Sequence, residues 1–201
     1  MSIAYVENIF SDQELMLLHD IINKANIPVV DNGEYISVHK NKGTGINEFL
    51  GRIQIGNIVQ ECSNDIKNKL TIIANNLSDT TLFMTNAVYC EYNKKYGNPN
   101  LPPHFDGDTN ELIINFQLLS NTYWDLGLGL KVYSIKNNSA LIFNGNTNIH
   151  WRPRKTFNDG DYVKMIFFRF AKKDNNSDYS HLPMNQIDSA FKEVVQFRDS
   201  L

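Results

Sequence analysis

Three side chains of this sequence have types and spacing that suit a metal: His104, Asp106 and His150. The first two form a His-x-Asp pair, and the third follows Asp106 by 44 positions. Alternate side chains of a strand share a face, so residues 104 and 106 can reach one point in space. A ligand as far along as His150 must arrive from another strand of the same sheet or barrel. Two imidazoles and one carboxylate on one side of a metal, with the other positions open, form the facial triad that holds non-haem Fe(II). A His-x-Asp alone is common by chance and is usually just solvated, so the flanking elements decide.

Composition sets the outer bounds. The chain has 201 residues, 42% hydrophobic and 20% charged, which suits one globular domain with a sizeable core. A net charge of −3 gives no basic footprint for nucleic acid or anionic lipid, despite local patches at Lys94-Lys95 and Arg152–Lys155. The two cysteines, Cys62 and Cys90, form neither a disulfide framework nor a thiolate metal pattern and fit a reducing, cytoplasmic setting. No apolar run is long enough to span a bilayer, and residues 1–10 lack a signal-peptide layout.

The chain divides into elements able to position these three residues. Ser11 and Glu14 form a capping box, with Phe10 and Leu15 as its staple. An apolar stripe of Leu15, Leu18, Ile21 and Ile22 then predicts a helix over 11–26. His19 in that helix reads as a surface or packing residue. Residues 27–50, punctuated by Pro28, Gly33, Gly43 and Gly45, suit short strands around a loop. Ile58, Cys62, Ile66, Leu70, Ile73 and Leu77 predict a second helix over 57–76. From there the character turns to β: strands are expected at 81–92, 111–119, 128–135, 140–144 and 161–170, parted by turn-prone clusters. Many short strands without intervening helices indicate an antiparallel sandwich or barrel. A polar loop at 174–180 and a helix over 185–199 finish the chain, the helix packing on the barrel or on a second subunit. The expected organisation is a single domain: a helical support region (1–80), a barrel core (81–172), and a C-terminal loop and helix (173–201).

Residues 82–170 resemble the 2-oxoglutarate- and Fe(II)-dependent dioxygenases, and within them the prolyl-4-hydroxylase-like group. The parts come in the same order: a strand ending in Tyr (88–92), a Gly-containing turn, Pro-His-Phe-Asp, a Trp-bearing turn (Tyr123-Trp124), the run 139–145, His150, and a long final strand. The His-Trp-Arg run followed by Pro and Phe looks especially like small viral or bacterial members. The resemblance implies a mainly β fold with flanking helices around a double-stranded β-helix, a jelly-roll or cupin-like core. It implies Fe(II) on His104, Asp106 and His150, with 2-oxoglutarate and O2 as cosubstrates and ascorbate as a compatible reductant. The reaction implied is hydroxylation of a C–H bond, in a prolyl residue of a peptide or protein or in a small molecule.

That family also supplies a cation for the distal carboxylate of 2-oxoglutarate, about ten positions past the second His. Here the chain departs from the pattern, with Gly160, Asp161 and Tyr162 in that region. Lys164, in phase with Tyr162, Ile166 and Phe168, is the first candidate and Arg152 the second. Arg169, in the opposite phase, is the third. Tyr92 matches a Tyr that hydrogen-bonds the cosubstrate, and equally suits a core position. Asn115 and Gln117 on one strand face indicate a polar pocket or a solvated edge. Trp124 and Trp151 read as packing residues, and His39 and His181 as bystanders. Two other readings stand beside the enzyme: a non-catalytic jelly-roll binding module, and a metal-dependent barrel that does without 2-oxoglutarate.

Overall fold

The computed structural model describes residues 3–24, 38–40, 47–49, 51–56, 58–106, 111–172 and 184–201, with 38–40, 47–49 and 184–187 described by backbone alone. In chain order the elements are β1 (Ala4–Glu7), α1 (Asp12–Lys24), β2 (Val38–Lys40), β3 (Asn47–Phe49), β4 (Arg52–Ile55), α2 (Asn64–Asn76) and β5 (Phe83–Asn93). Then follow β6 (Leu112–Ser120), β7 (Leu126–Leu128), β8 (Lys131–Tyr133), β9 (Ser139–Phe143), β10 (His150–Trp151), β11 (Tyr162–Ala171) and α3 (Met184–Asp199).

Six strands form a major antiparallel sheet in the order β1-β9-β6-β11-β5-β4, and three form a minor one, β10-β7-β8. The chain has the mainly β architecture with flanking helices that the strand pattern led us to expect. The major sheet is buried on both faces. On one, Tyr89, Ile114, Phe116, Ile166 and Phe168 pack under Leu18 and Ile22 of α1 and Ile66, Leu70 and Ala74 of α2. On the other, Val88, Cys90, Ile113, Leu141 and Met165 meet Trp124, Leu126 and Leu128 beside the minor sheet. Each large apolar side chain so buried contributes about 1.5–3 kcal/mol. The minor sheet closes over the second face.

Local signals explain most element boundaries. In α1 the capping box forms: the Ser11 N–H donates to Glu14 Oε2 at 2.7 Å, and the Glu14 N–H donates back to Ser11 Oγ at 3.3 Å. The second helix starts later than its apolar spacing predicts. A 3-10 turn occupies Ile58–Gln60, and α2 begins at Asn64 because the Ser63 hydroxyl caps the N–H of Ile66. The strand expected over 128–135 is the hairpin β7–β8, turned at Gly129 with φ of +54°. The sheet also extends outside residues 81–172, since β1 and β4 are its two edges. Strands β2 and β3 pair antiparallel. The rest of the 27–50 segment, the side chain of His39, the 174–180 loop and His181 lie outside the described residues. Among the described residues no helix is long and apolar enough to cross a membrane.

Candidate metal centre and its cavity

The two histidines are joined through their backbones. The N–H of His104 donates to the carbonyl of His150 at 3.1 Å, and the N–H of His150 returns the bond at 2.9 Å. Two more bonds extend the pairing: Arg152 N–H to the Leu101 carbonyl at 2.9 Å, and Asp106 N–H to the Gly145 carbonyl at 3.0 Å. Residues 101–106 thus lie beside β10 as a further edge of the minor sheet. Alternation turns His104, Asp106 and His150 to the inside and Phe105, Ile149 and Trp151 to the outside.

The rings are oriented as well as placed. Nδ1 of His104 lies 2.8 Å from the Pro102 carbonyl, and Nδ1 of His150 lies 3.1 Å from the Asn148 carbonyl. A carbonyl can only accept, so each Nδ1 carries the proton and each Nε2 offers a lone pair. Those Nε2 atoms stand 3.9 and 3.7 Å from the two carboxylate oxygens of Asp106. One donor atom from each residue falls within 4.8 Å of the others. Donors bonded at about 2.1 Å to one ion lie roughly 3–4 Å apart, so the three need close only slightly on an ion. A side chain at 145 would spoil the arrangement: a Cβ there would come within 2.3 Å of Ile113 Cδ1 and 3.1 Å of Asp106 Oδ2.

A tight cavity of about 40 Å³ adjoins the triad, walled by Arg52, Gln54, Asn115, Arg169 and the apolar Val88, Leu101, Ile113, Phe143 and Phe167. The ladder shows how the polar groups reach it. Arg52 pairs with Tyr92, and Tyr92 with Val163, which places them in one row across the face that the minor sheet covers. Asn86, Arg169 and Ile113 form another row, whose Ile113 meets Asp106 over Gly145. Arg52 donates to the Tyr92 hydroxyl at 2.5 Å and to Gln54 Oε1 at 3.0 Å. Burial alone would pull its guanidinium pKa down, but Cys90, Tyr92 and the charge of Asp106 outweigh that and raise it. Burial pushes the Tyr92 phenol and the Cys90 thiol up. The Nε atoms of Arg52 and Arg169 and the Oδ1 of Asn115 are buried without a hydrogen-bond partner.

Of the residues singled out from the sequence, His104, Asp106, His150 and Asn115 meet at this cavity, with Tyr92 behind Arg52. Lys164 and Arg152 do not line it. Lys164 points to the helix-covered face, 4.0 Å from Glu91 Oε2 and over the Tyr162 ring. Both faces of β11 are apolar, so alternation alone could not say which faced inward. Arg152 is fully buried elsewhere: it donates to the carbonyls of Trp124 and Asp125 and lies against Met165 Sδ and the Trp124 ring. Burial lowers its pKa to about 10. Arg169, the third choice, is the β11 cation that reaches the cavity. Gln117 is held by the Ile135 carbonyl at 2.7 Å, away from the cavity. Arg52 was missed, although the alternation Arg52-Ile53-Gln54-Ile55 is a short strand signal with its polar side inward.

Helix α3 supports the centre from behind. Phe191 meets Phe105 edge-on at 5.2 Å, Phe197 meets Trp151 at 5.9 Å, and Val194 packs with Ile149 and Trp151. Arg198 Nε donates to the Arg152 carbonyl at 2.8 Å. The helix therefore packs on the barrel of its own chain. Trp124 and Trp151 are packing residues, each with its indole N–H on a carbonyl.

No family model matches the chain, and no curated protein matches it. Solved structures do. The viral collagen prolyl hydroxylase of Paramecium bursaria Chlorella virus-1, in complex with 2-oxoglutarate, is similar at TM-score 0.56 and 10% identity, over 85% of this chain and 96% of that one. A prolyl hydroxylase of Trichoplax adhaerens, in complex with a hypoxia-inducible-factor peptide fragment, is similar at TM-score 0.57 and 11% identity, over 86% and 84%. The non-haem α-ketoglutarate-dependent epimerase SnoN of nogalamycin biosynthesis is similar at TM-score 0.59 and 8% identity, over 90% and 85%. At such identity the likeness is one of fold, and the chain has the double-stranded β-helix fold of the 2-oxoglutarate/Fe(II) oxygenases, prolyl hydroxylases included.

Proposed function

We propose that this protein is an Fe(II)- and 2-oxoglutarate-dependent dioxygenase that hydroxylates a C–H bond. One observation carries the reading: three donors suited to a divalent ion adjoin two guanidiniums whose buried Nε atoms lack partners. A buried donor left unsatisfied costs about 1–3 kcal/mol. A dicarboxylate held at the metal by one end and by a guanidinium at the other removes that cost, so the residues fit the cosubstrate. At about 40 Å³ the cavity must widen to admit it.

His104, Asp106 and His150 would hold the iron, with both imidazoles kept in the metal-binding tautomer by the Pro102 and Asn148 carbonyls. Arg52, braced by Tyr92, would take the distal carboxylate in place of the missing cation at the start of the last strand, and Asn115 would line its path. Once bound, iron and 2-oxoglutarate would supply the activation of O2, with succinate and CO2 as by-products. Around them Val88, Leu101, Ile113, Phe143 and Phe167 exclude water. The substrate is either a prolyl residue of a peptide or a small molecule, since fold does not choose the reaction. The test is succinate formation from 2-oxoglutarate under air by the Fe(II)-loaded protein, with ascorbate as reductant. Turnover abolished in Asp106→Ala is the expected result; turnover equal in wild type and variant would refute the reading.

A further inference from the structure

Arg52 accounts for the distal carboxylate, and Arg169 is left over. It stands between Asn86 and Ile113 and lines the cavity beside His104, Asp106 and His150. Its Nε is buried without a partner, as is the Oδ1 of neighbouring Asn86. No carboxylate lies in ion-pair range of Arg169 among the described residues. Its strand neighbours facing the cavity, Phe167 and Val88, are apolar and offer the charge nothing.

The charges point the same way. A divalent ion, Asp106, Arg52, Arg169 and a doubly charged cosubstrate sum to one surplus positive charge, in a setting where uncompensated charge is costly. A guanidinium offers a carboxylate two parallel bonds in a fixed plane. The Asn86 amide can turn its Nδ2 toward the same anion. Resting on the dioxygenase reading above, we infer that Arg169 is the substrate's anion receptor: the molecule oxidised presents a carboxylate to Arg169 beside the carbon that reacts. A free amino or imino acid has that form; a residue within a neutral stretch of peptide does not.

Acetate and acetamide serve as matched charged and neutral probes. Mn(II) suits the same imidazole–carboxylate donors and broadens the proton lines of molecules bound close to it. In protein loaded with Mn(II) and saturating 2-oxoglutarate, the acetate methyl line should broaden and the acetamide line should not. Arg169→Ala should weaken acetate binding about tenfold or more while leaving the 2-oxoglutarate Kd within about twofold, and Arg169→Lys should restore part of it. Unbroadened acetate in the wild type, or acetate broadened equally in Arg169→Ala, would overturn the inference. So would a loss of 2-oxoglutarate affinity in Arg169→Ala matching that of Arg52→Ala, which would assign Arg169 to the cosubstrate and leave the dioxygenase reading standing. Failure of the wild type to bind Mn(II) or 2-oxoglutarate at all would sink that reading itself.

Discussion

A guanidinium walled into a cavity beside a metal centre must find an anion, and this requirement gives the arginines separate roles. Arg152 lies outside the cavity and donates to carbonyls and a thioether, its Nε unpaired, whereas Arg52, in the cavity wall, has only a phenol and an amide. Arg52→Ala should therefore raise the Kd for 2-oxoglutarate about 10- to 100-fold, as expected for a lost charge-assisted pair. Lys164→Ala should change it by less than about twofold, which calorimetric titration would read directly. The clustering of His104 and Asp106 was legible in the sequence because strand alternation fixes His-x-Asp on one face whatever the surroundings. The cation was not legible, since Val163, Met165 and Phe167 on one side of β11 and Ile166 and Phe168 on the other are equally apolar. Arg52 was hidden differently, in a four-residue edge strand 52 positions before the first ligand.

Among the elements, α3 has the most direct bearing on the site. Phe105, Ile149 and Trp151 alternate with the three ligands, and α3 covers all three from outside. Removing its contacts should let both ligand segments shift while the major sheet stays intact. Phe191→Ala is expected to cost about 1–3 kcal/mol of stability, less than for a fully buried ring. It should also weaken iron binding about tenfold, within the range seen for groups that orient ligands. Phe191→Leu should recover most of the iron affinity; iron binding unchanged in Phe191→Ala would remove α3 from the account. The helix itself was readable from its period, but the face it covers was not, because apolar spacing names a stripe and not its partner. The late start of α2 has a similar origin: Ile58 and Cys62 keep the helical spacing, yet the Ser63 cap resets the chain between them and Ile66.

At the scale of the whole molecule, two sheets enclose the cavity beside His104, Asp106 and His150, so ligands that bind only the closed barrel must stabilise all of it. Iron and 2-oxoglutarate at about 100 times their Kd should each add about 2.7 kcal/mol. For a domain of this size that raises Tm by roughly 5–10 °C per ligand, and a thermal melt of His104→Ala should show no such rise. The antiparallel β architecture was foreseeable from many short β segments without helices between them, whereas the two edge strands, β1 and β4, lie too far from the rest in sequence for local pattern to place. The central claim is that metal and cosubstrate meet at His104, Asp106 and His150, and anaerobic titration of the Fe(II)-loaded protein with 2-oxoglutarate tests it most directly. A weak visible charge-transfer band that grows with 2-oxoglutarate and vanishes in His150→Ala is the predicted result; iron bound without any such band would contradict it.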